Sequence, residues 1–180
     1  AGLPVVGICL GGQLMAKALG ARVEKNRTGE CGWFRIVLTN KGRMDHILNA
    51  AGKNPLVYHW HNDTFFLPVD GELLACSDAC ERQAFRIGEA AYAFQFHPEA
   101  DGQLVGQWLS AQESEDEIRR ARKTGNGNFI QDRTVQLSNI PQGERSSLKF
   151  TAAIGSLLKK QAFVCLNPKI AKIAETAQTG

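Results

Sequence analysis

The chain has no apolar run near the roughly 20 residues needed to cross a bilayer. It opens on Ala1-Gly2-Leu3-Pro4, without the basic stretch and length of a secretory leader. No membrane partner is expected from this pattern, and a cytoplasmic location is. An excess of one charge is also missing: 21 basic and 18 acidic side chains leave a net charge of +3, too little to make nucleic acid the main partner. Residues 1–100 carry ten of each sign, so the whole excess falls in residues 101–180, with eleven basic and eight acidic. No disulfide framework is visible either. The five cysteines, at positions 9, 31, 76, 80 and 165, are odd in number and irregular in spacing, which suits free thiols in a reducing compartment. There is no glycine-rich, lysine-bearing nucleotide loop, and no cofactor is expected. What remains is a chain of 180 residues, 43% hydrophobic and 22% charged, enough for an ordinary core in one domain, two at most.

The first hundred residues alternate short apolar runs with turn signals. Pro4 to Ile8 is a brief apolar strand, Gly11-Gly12 a tight turn, and Gln13 to Leu19 has helical spacing that stops at Gly20. Trp33 to Leu38, Leu56 to Trp60, Leu73 to Ser77, Ala84 to Ile87 and Tyr92 to Phe96 are further strands by composition, separated by Gly, Pro, Asn and Asp. An α/β domain with antiparallel additions follows. After Pro98, Leu104, Val105, Trp108 and Leu109 share a helix face, Glu113 to Lys123 is a charged helical stretch, and Thr124 to Asn128 reads as a loop. Ser146 to Phe163 has helical composition, with Leu148, Ala152, Leu157, Leu158 and Phe163 as expected core positions. These observations divide the chain into an α/β unit over 1–123 and a partly helical extension over 124–180.

Two segments carry chemistry. Gly7-Ile8-Cys9-Leu10-Gly11 has the form of a nucleophile elbow, with sulfur where a serine oxygen is common. Such an elbow holds its nucleophile in strained backbone between a buried strand and a helix, and small flanking residues let the two pass closely. The helix that follows would aim its free amides and positive dipole end at the sulfur, favouring the thiolate. Farther on, Gln95-Phe96-His97-Pro98-Glu99 follows a strand, so His97 falls at a sheet rim. Residues two apart in extended backbone share a face. His97 and Glu99 can therefore line up, carboxylate behind imidazole, and supply a base and its orienting acid to Cys9.

Gly7 to Gln13 and Gln95 to Glu99 resemble the two signature motifs of class I, triad-type glutamine amidotransferase domains. Between them, His59-Trp-His-Asn-Asp-Thr-Phe65, Leu67-Pro68, Leu74 to Ser77 and Gln83 to Arg86 are similar to the stand-alone subgroup related to the glutaminase part of GMP synthase. The resemblance covers residues 3 to about 110. It implies a flavodoxin-like open, mostly parallel sheet with flanking helices, and hydrolysis of the glutamine side-chain amide through a cysteinyl γ-glutamyl thioester, releasing ammonia and glutamate. Cys9 would be the nucleophile, His97 the general base and acid, and Glu99 the residue orienting it. Leu10 would offer an oxyanion amide, and Gly11 and Gln13 would contact glutamine, with His61, Asn62 and Asp63 in a loop beside it. Family members carry roughly eighty residues before the elbow, including the first strands and a second oxyanion turn. Those strands are therefore expected to be missing from this chain, and a synthetase or acceptor protein, or a chain supplying them, is an implied partner.

The same triad also serves γ-glutamyl peptide or conjugate hydrolysis, and an inactive scaffold of the same fold is a further alternative. A different chemistry is suggested by His59-x-His61-x-Asp63, which resembles the opening of a zinc hydrolase motif. The next histidine of such a motif is absent, with Thr64 and Phe65 in its place, so no metal is expected.

Overall fold

A computed structural model describes residues 3–124 and 127–162. Strand β1 (Val5–Ile8) leads into helix α1 (Leu10–Ala18). There follow β2 (Val23–Arg35), β3 (Val37–Leu38), the short helix α2 (Asn40–Met44), β4 (Leu56–Phe65), β5 (Gly71–Cys76), β6 (Ala84–Ile87) and β7 (Ala91–Phe94). Three helices complete the described chain: α3 (Gly102–Ser110), α4 (Gln112–Thr124) and α5 (Arg133–Ala162). One sheet has the order β1-β7-β6-β5-β3, and β2 and β4 form a separate two-stranded ribbon.

The fold is α/β with flanking helices, as expected, but its parallel character is confined to one ladder. β1 and β7 run parallel, whereas β7–β6, β6–β5 and β5–β3 are antiparallel. Chain length is the reason: the short links after β5 and β6 permit hairpins, while a parallel neighbour needs a crossover of a dozen or more residues. β1 is the outer strand of this sheet among the described residues; Val5 on it, Leu3 before it, and Leu10 and Leu14 of α1 are exposed.

Alternation along β7 separates two cores. Tyr92 and Phe94 pack with Phe96, Ile36, Leu38, Val57 and Phe150 on one face, whereas Ala93 joins Ala16, Phe65 and Phe85 under α1. A third core joins the ribbon to α3 and α4 through Trp33, Tyr58, Val105, Leu109 and Ile118.

The C-terminal helix departs from expectation. α5 begins at Arg133 and continues through Pro141, where a proline signals a stop by removing a backbone donor. Its buried face runs through Phe150 and Leu157, while Leu148 and Leu158 are exposed. Phe150 and Leu157 pack into the same core as β7, and Phe163 lies outside the described residues. The helix approaches closely at Gly143, where a methyl group would sit 2.1 Å from a Trp33 ring carbon. Gly143→Ala should therefore cost about 1–3 kcal/mol by overpacking. Urea unfolding monitored by tryptophan fluorescence measures it, and an unchanged midpoint would contradict this docking.

Candidate active site

Register brings the two chemical segments together. In the parallel β1–β7 ladder Ile8 pairs with Phe94, so Cys9 and Gln95 leave the sheet at the same rim. The Cys9 amide donates to the Phe94 carbonyl at 2.8 Å, and the His97 amide donates to the Tyr58 carbonyl at 2.8 Å, tying the rim to β4.

Cys9 has φ 49° and ψ −109° and is the one non-glycine residue with positive φ among the described residues. That strain is what an elbow requires. A methyl group at Gly7 would lie 2.6 Å from the Gly11 carbonyl oxygen, so the close passage of strand and helix depends on Gly7. Gly11, expected to matter in the same way, has open space at its Cβ position. Gly12 takes that part, with the Phe94 carbonyl 3.0 Å from where its Cβ would be.

His97 donates from Nδ1 to Glu99 Oε1 at 2.8 Å, which leaves Nε2 for the sulfur side. Burial alone would push the imidazole pKa down. Side-chain hydrogen bonding to Cys9 and Glu99 outweighs it and raises the value to about 9. Trp108 of α3 holds the ring edge-on, with centroids 5.0 Å apart. Cys9, His97, Trp60, Trp108 and Ser114 line a cavity of about 300 Å³, at the small end of ligand pockets. A larger cavity of about 440 Å³ lies between α4 and the start of α5, lined by Leu109, Ile118, Arg122 and Arg133 among others. Neither cysteine nor histidine lines it.

The other expected site residues are placed unequally. Leu10 opens α1 directly after Cys9. Gln13 is buried, and its Nε2 donates to Gln95 Oε1 at 3.1 Å and toward the Asp63 carbonyl at 3.4 Å. Asn62 and Asp63 are exposed. The segment from His61 to Asp63, expected as a loop, belongs to β4 and pairs with β2; ladder bonding overrides the low strand propensity of Asn and Asp. His61 is turned away from the cavity. Its Nε2 lies 3.0 Å from Glu30 Oε2, and both residues are buried.

Glu30 was invisible as a site residue because strand pairing, not sequence proximity, brings it to His59 and His61. Burial would raise its pKa, but the two imidazoles and Ser77 hold it down at about 2. Burial pushes His59 down to about 4. Gln83, at the start of the segment Gln83 to Arg86, donates to Glu30 Oε2 at 2.6 Å. Arg86 at the end of that segment instead pairs with Asp45 at 3.0 Å, and Asp45 also accepts from Tyr92 at 2.9 Å. The sequence places Trp60 at a strand end and Trp108 on a helix face, but nothing in it marks them as walls of the cavity.

The chain is similar to known proteins in sequence and in fold. The chain is 41% identical over 95 residues to the glutamine amidotransferase-like protein YfeJ of Salmonella typhimurium, an alignment covering 53% of this chain and 40% of that one. It is 33% identical over 99 residues to a subunit of the glutamine-hydrolyzing GMP synthase of Methanobrevibacter smithii, covering 54% and 50%. The chain thus spans about half or less of these relatives. The crystal structure of a glutamine amidotransferase from Thermotoga maritima superposes with a TM-score of 0.69 at 27% identity, over 86% of this chain and 62% of that one. Residues 1–114 match the family described as glutamine amidotransferase class-I, and among the described residues no helix is long and apolar enough to cross a membrane. The elbow at Cys9 and the rim segment at His97 both fall within the matched residues, and the chain belongs to the class-I glutamine amidotransferase family.

Proposed function

We propose that the chain hydrolyses the side-chain amide of glutamine through a covalent intermediate on Cys9. The observation that carries this reading is the strained Cys9 beside an imidazole that is buried, paired with Glu99 and raised to about 9. The thiolate attacks the carboxamide carbon, and the oxyanion that forms is met by the Leu10 amide at the start of α1. Collapse expels the nitrogen, which leaves as ammonia with the proton of His97. A γ-glutamyl thioester remains. Water then attacks it, giving its proton to His97, and the thiolate departs as glutamate is released. Glu99 keeps Nδ1 protonated and so presents Nε2 to the reaction. Gly11, Gln13, Asn62 and Asp63 are the proposed substrate contacts, and His61 supports them from behind through Glu30. Ammonia released here would pass to a synthetase partner, consistent with the similarity to a GMP synthase component.

The reading sets a pH dependence with a definite sign. His97 must be protonated to expel ammonia, and its pKa is raised, so kcat/KM for glutamine should fall as pH rises through about 9. Glu99→Gln removes one of the interactions that raise it. The alkaline limb should then move to lower pH and the plateau should fall about 10–100-fold, less than for loss of the base itself. A pH profile of ammonia release from both proteins tests this, and an unmoved limb would mean that another group sets it. Release of amine from γ-glutamyl peptides faster than ammonia from glutamine would replace the substrate while keeping the residues.

A further inference from the structure

Inside the β2–β4 ribbon, three side chains that no catalytic step above uses converge. Glu30 stands opposite His61 in the antiparallel register, and His59, two residues before His61, shares its face. Glu30, His59 and His61 are 1%, 0% and 5% exposed, and one ligand atom from each lies within 4.8 Å of the other two.

The proton arrangement is unusual. His61 Nδ1 lies 3.0 Å from the Asp63 carbonyl oxygen. A carbonyl only accepts, so Nδ1 carries the hydrogen and Nε2 of the neutral ring is a bare lone pair. That lone pair is 3.0 Å from the carboxylate oxygen Oε2 of Glu30, yet Nε2 has no partner in hydrogen-bond geometry. His59 Nδ1 is 3.7 Å from the same oxygen. Neither His59 nitrogen makes a hydrogen bond of good geometry, and the Phe34 backbone offers only a looser one. A proton on His61 would relieve one of these contacts and leave His59 poorly satisfied, which is costly at full burial. A divalent cation would satisfy all three.

We propose that Glu30, His59 and His61 form a zinc site. Two imidazoles and a carboxylate suit zinc, and tetrahedral ligands at 2.0–2.1 Å lie roughly 3.3–3.4 Å apart, a spacing straddled by the 3.0 and 3.7 Å separations. The surroundings supply the outer hydrogen bonds such ligands need. Gln83 donates to Glu30 Oε2 at 2.6 Å, Ser77 donates to Oε1 at 3.1 Å, and the Asp63 carbonyl orients His61. Three protein ligands leave a fourth position to a solvent oxygen. Asp63, the third member of the sequence pattern, is exposed and pairs with Lys25 beyond a register shift in β2; Glu30 takes its place. The bound ion would join β2 to β4 on both sides of Trp60, whose carbonyl oxygen lies 3.8 Å from Cys9 Sγ. Its role is to hold that wall of the cavity, and it does not depend on the hydrolytic reading.

The test is metal binding by the full chain after chelator treatment. Cobalt(II) should bind one per chain, with the intense visible bands of a tetrahedral site, and zinc should displace it. X-ray absorption at the zinc edge should show nitrogen and oxygen neighbours with no sulfur. His59→Gln and His61→Gln should lose the ion, Gln83→Leu should bind it about 10–100-fold more weakly, and Asp63→Asn should retain it. Absence of a stoichiometric ion, sulfur scattering, or full binding by folded His59→Gln overturns the site. Where a histidine variant fails to fold, the absorption spectrum of the unaltered chain decides alone.

Discussion

Replacement of Cys9 by alanine is expected to abolish glutamine hydrolysis, with a loss of at least about 10⁴-fold in kcat in any preparation that shows turnover. The size follows from the role: without sulfur no thioester forms, and water must attack the amide unaided. The fold should survive, because Cys9 is held through its backbone, its amide bonded to Phe94. Its side-chain contacts are long, with Sγ 3.8 Å from both the Trp60 carbonyl oxygen and Gln95 Nε2. Ammonia release and circular dichroism, measured together, separate loss of chemistry from loss of structure. A folded Cys9→Ala protein that still hydrolysed glutamine would remove the thioester from the mechanism.

His97→Ala is expected to cost nearly as much, on the order of 10⁴-fold, because one group serves both as the acid that expels ammonia and as the base that activates water. It should also slow alkylation of Cys9. The two side chains line the same cavity, and the imidazole is the base that takes the thiol proton. That second effect distinguishes a base in contact with the nucleophile from a histidine that merely fills space. The expected result is a parallel drop in ammonia release and in the rate of reaction with iodoacetamide. Loss of the first with no change in the second would uncouple His97 from Cys9.

The chemical segments were legible in the sequence because each is local. An elbow is five residues, and a His-x-Glu at a strand end needs only the period of extended backbone to align its side chains. Their meeting was not local; it depends on Ile8 pairing with Phe94 across 86 positions. Glu30 escaped notice for the same reason, since only the β2–β4 register places it opposite His61. The polar run His61-Asn62-Asp63 looked like a loop because the ladder that makes it a strand leaves no mark on composition. In α5 the proline at 141 hid eight residues of helix that precede it, and of the core positions expected there within the described residues Leu157 is buried while Leu148, Ala152 and Leu158 are exposed. Its packing is set by Gly143 against Trp33 and Phe150 against Phe96, contacts with distant strands.

Selective modification of Cys9 bears most directly on the central claim. Burial pushes the Cys31 thiol up to about 12 and raises Cys76 and Cys80 as well, so these three should remain protonated and slow near neutral pH. The folded chain is to be treated with a glutamine-mimicking diazo-ketone and its peptides mapped by mass spectrometry. Among the four cysteines of the described residues, the expected adduct falls on Cys9 alone, suppressed by glutamine and absent from His97→Ala at the same exposure time. An adduct on Cys31, Cys76 or Cys80 in preference to Cys9 would contradict it.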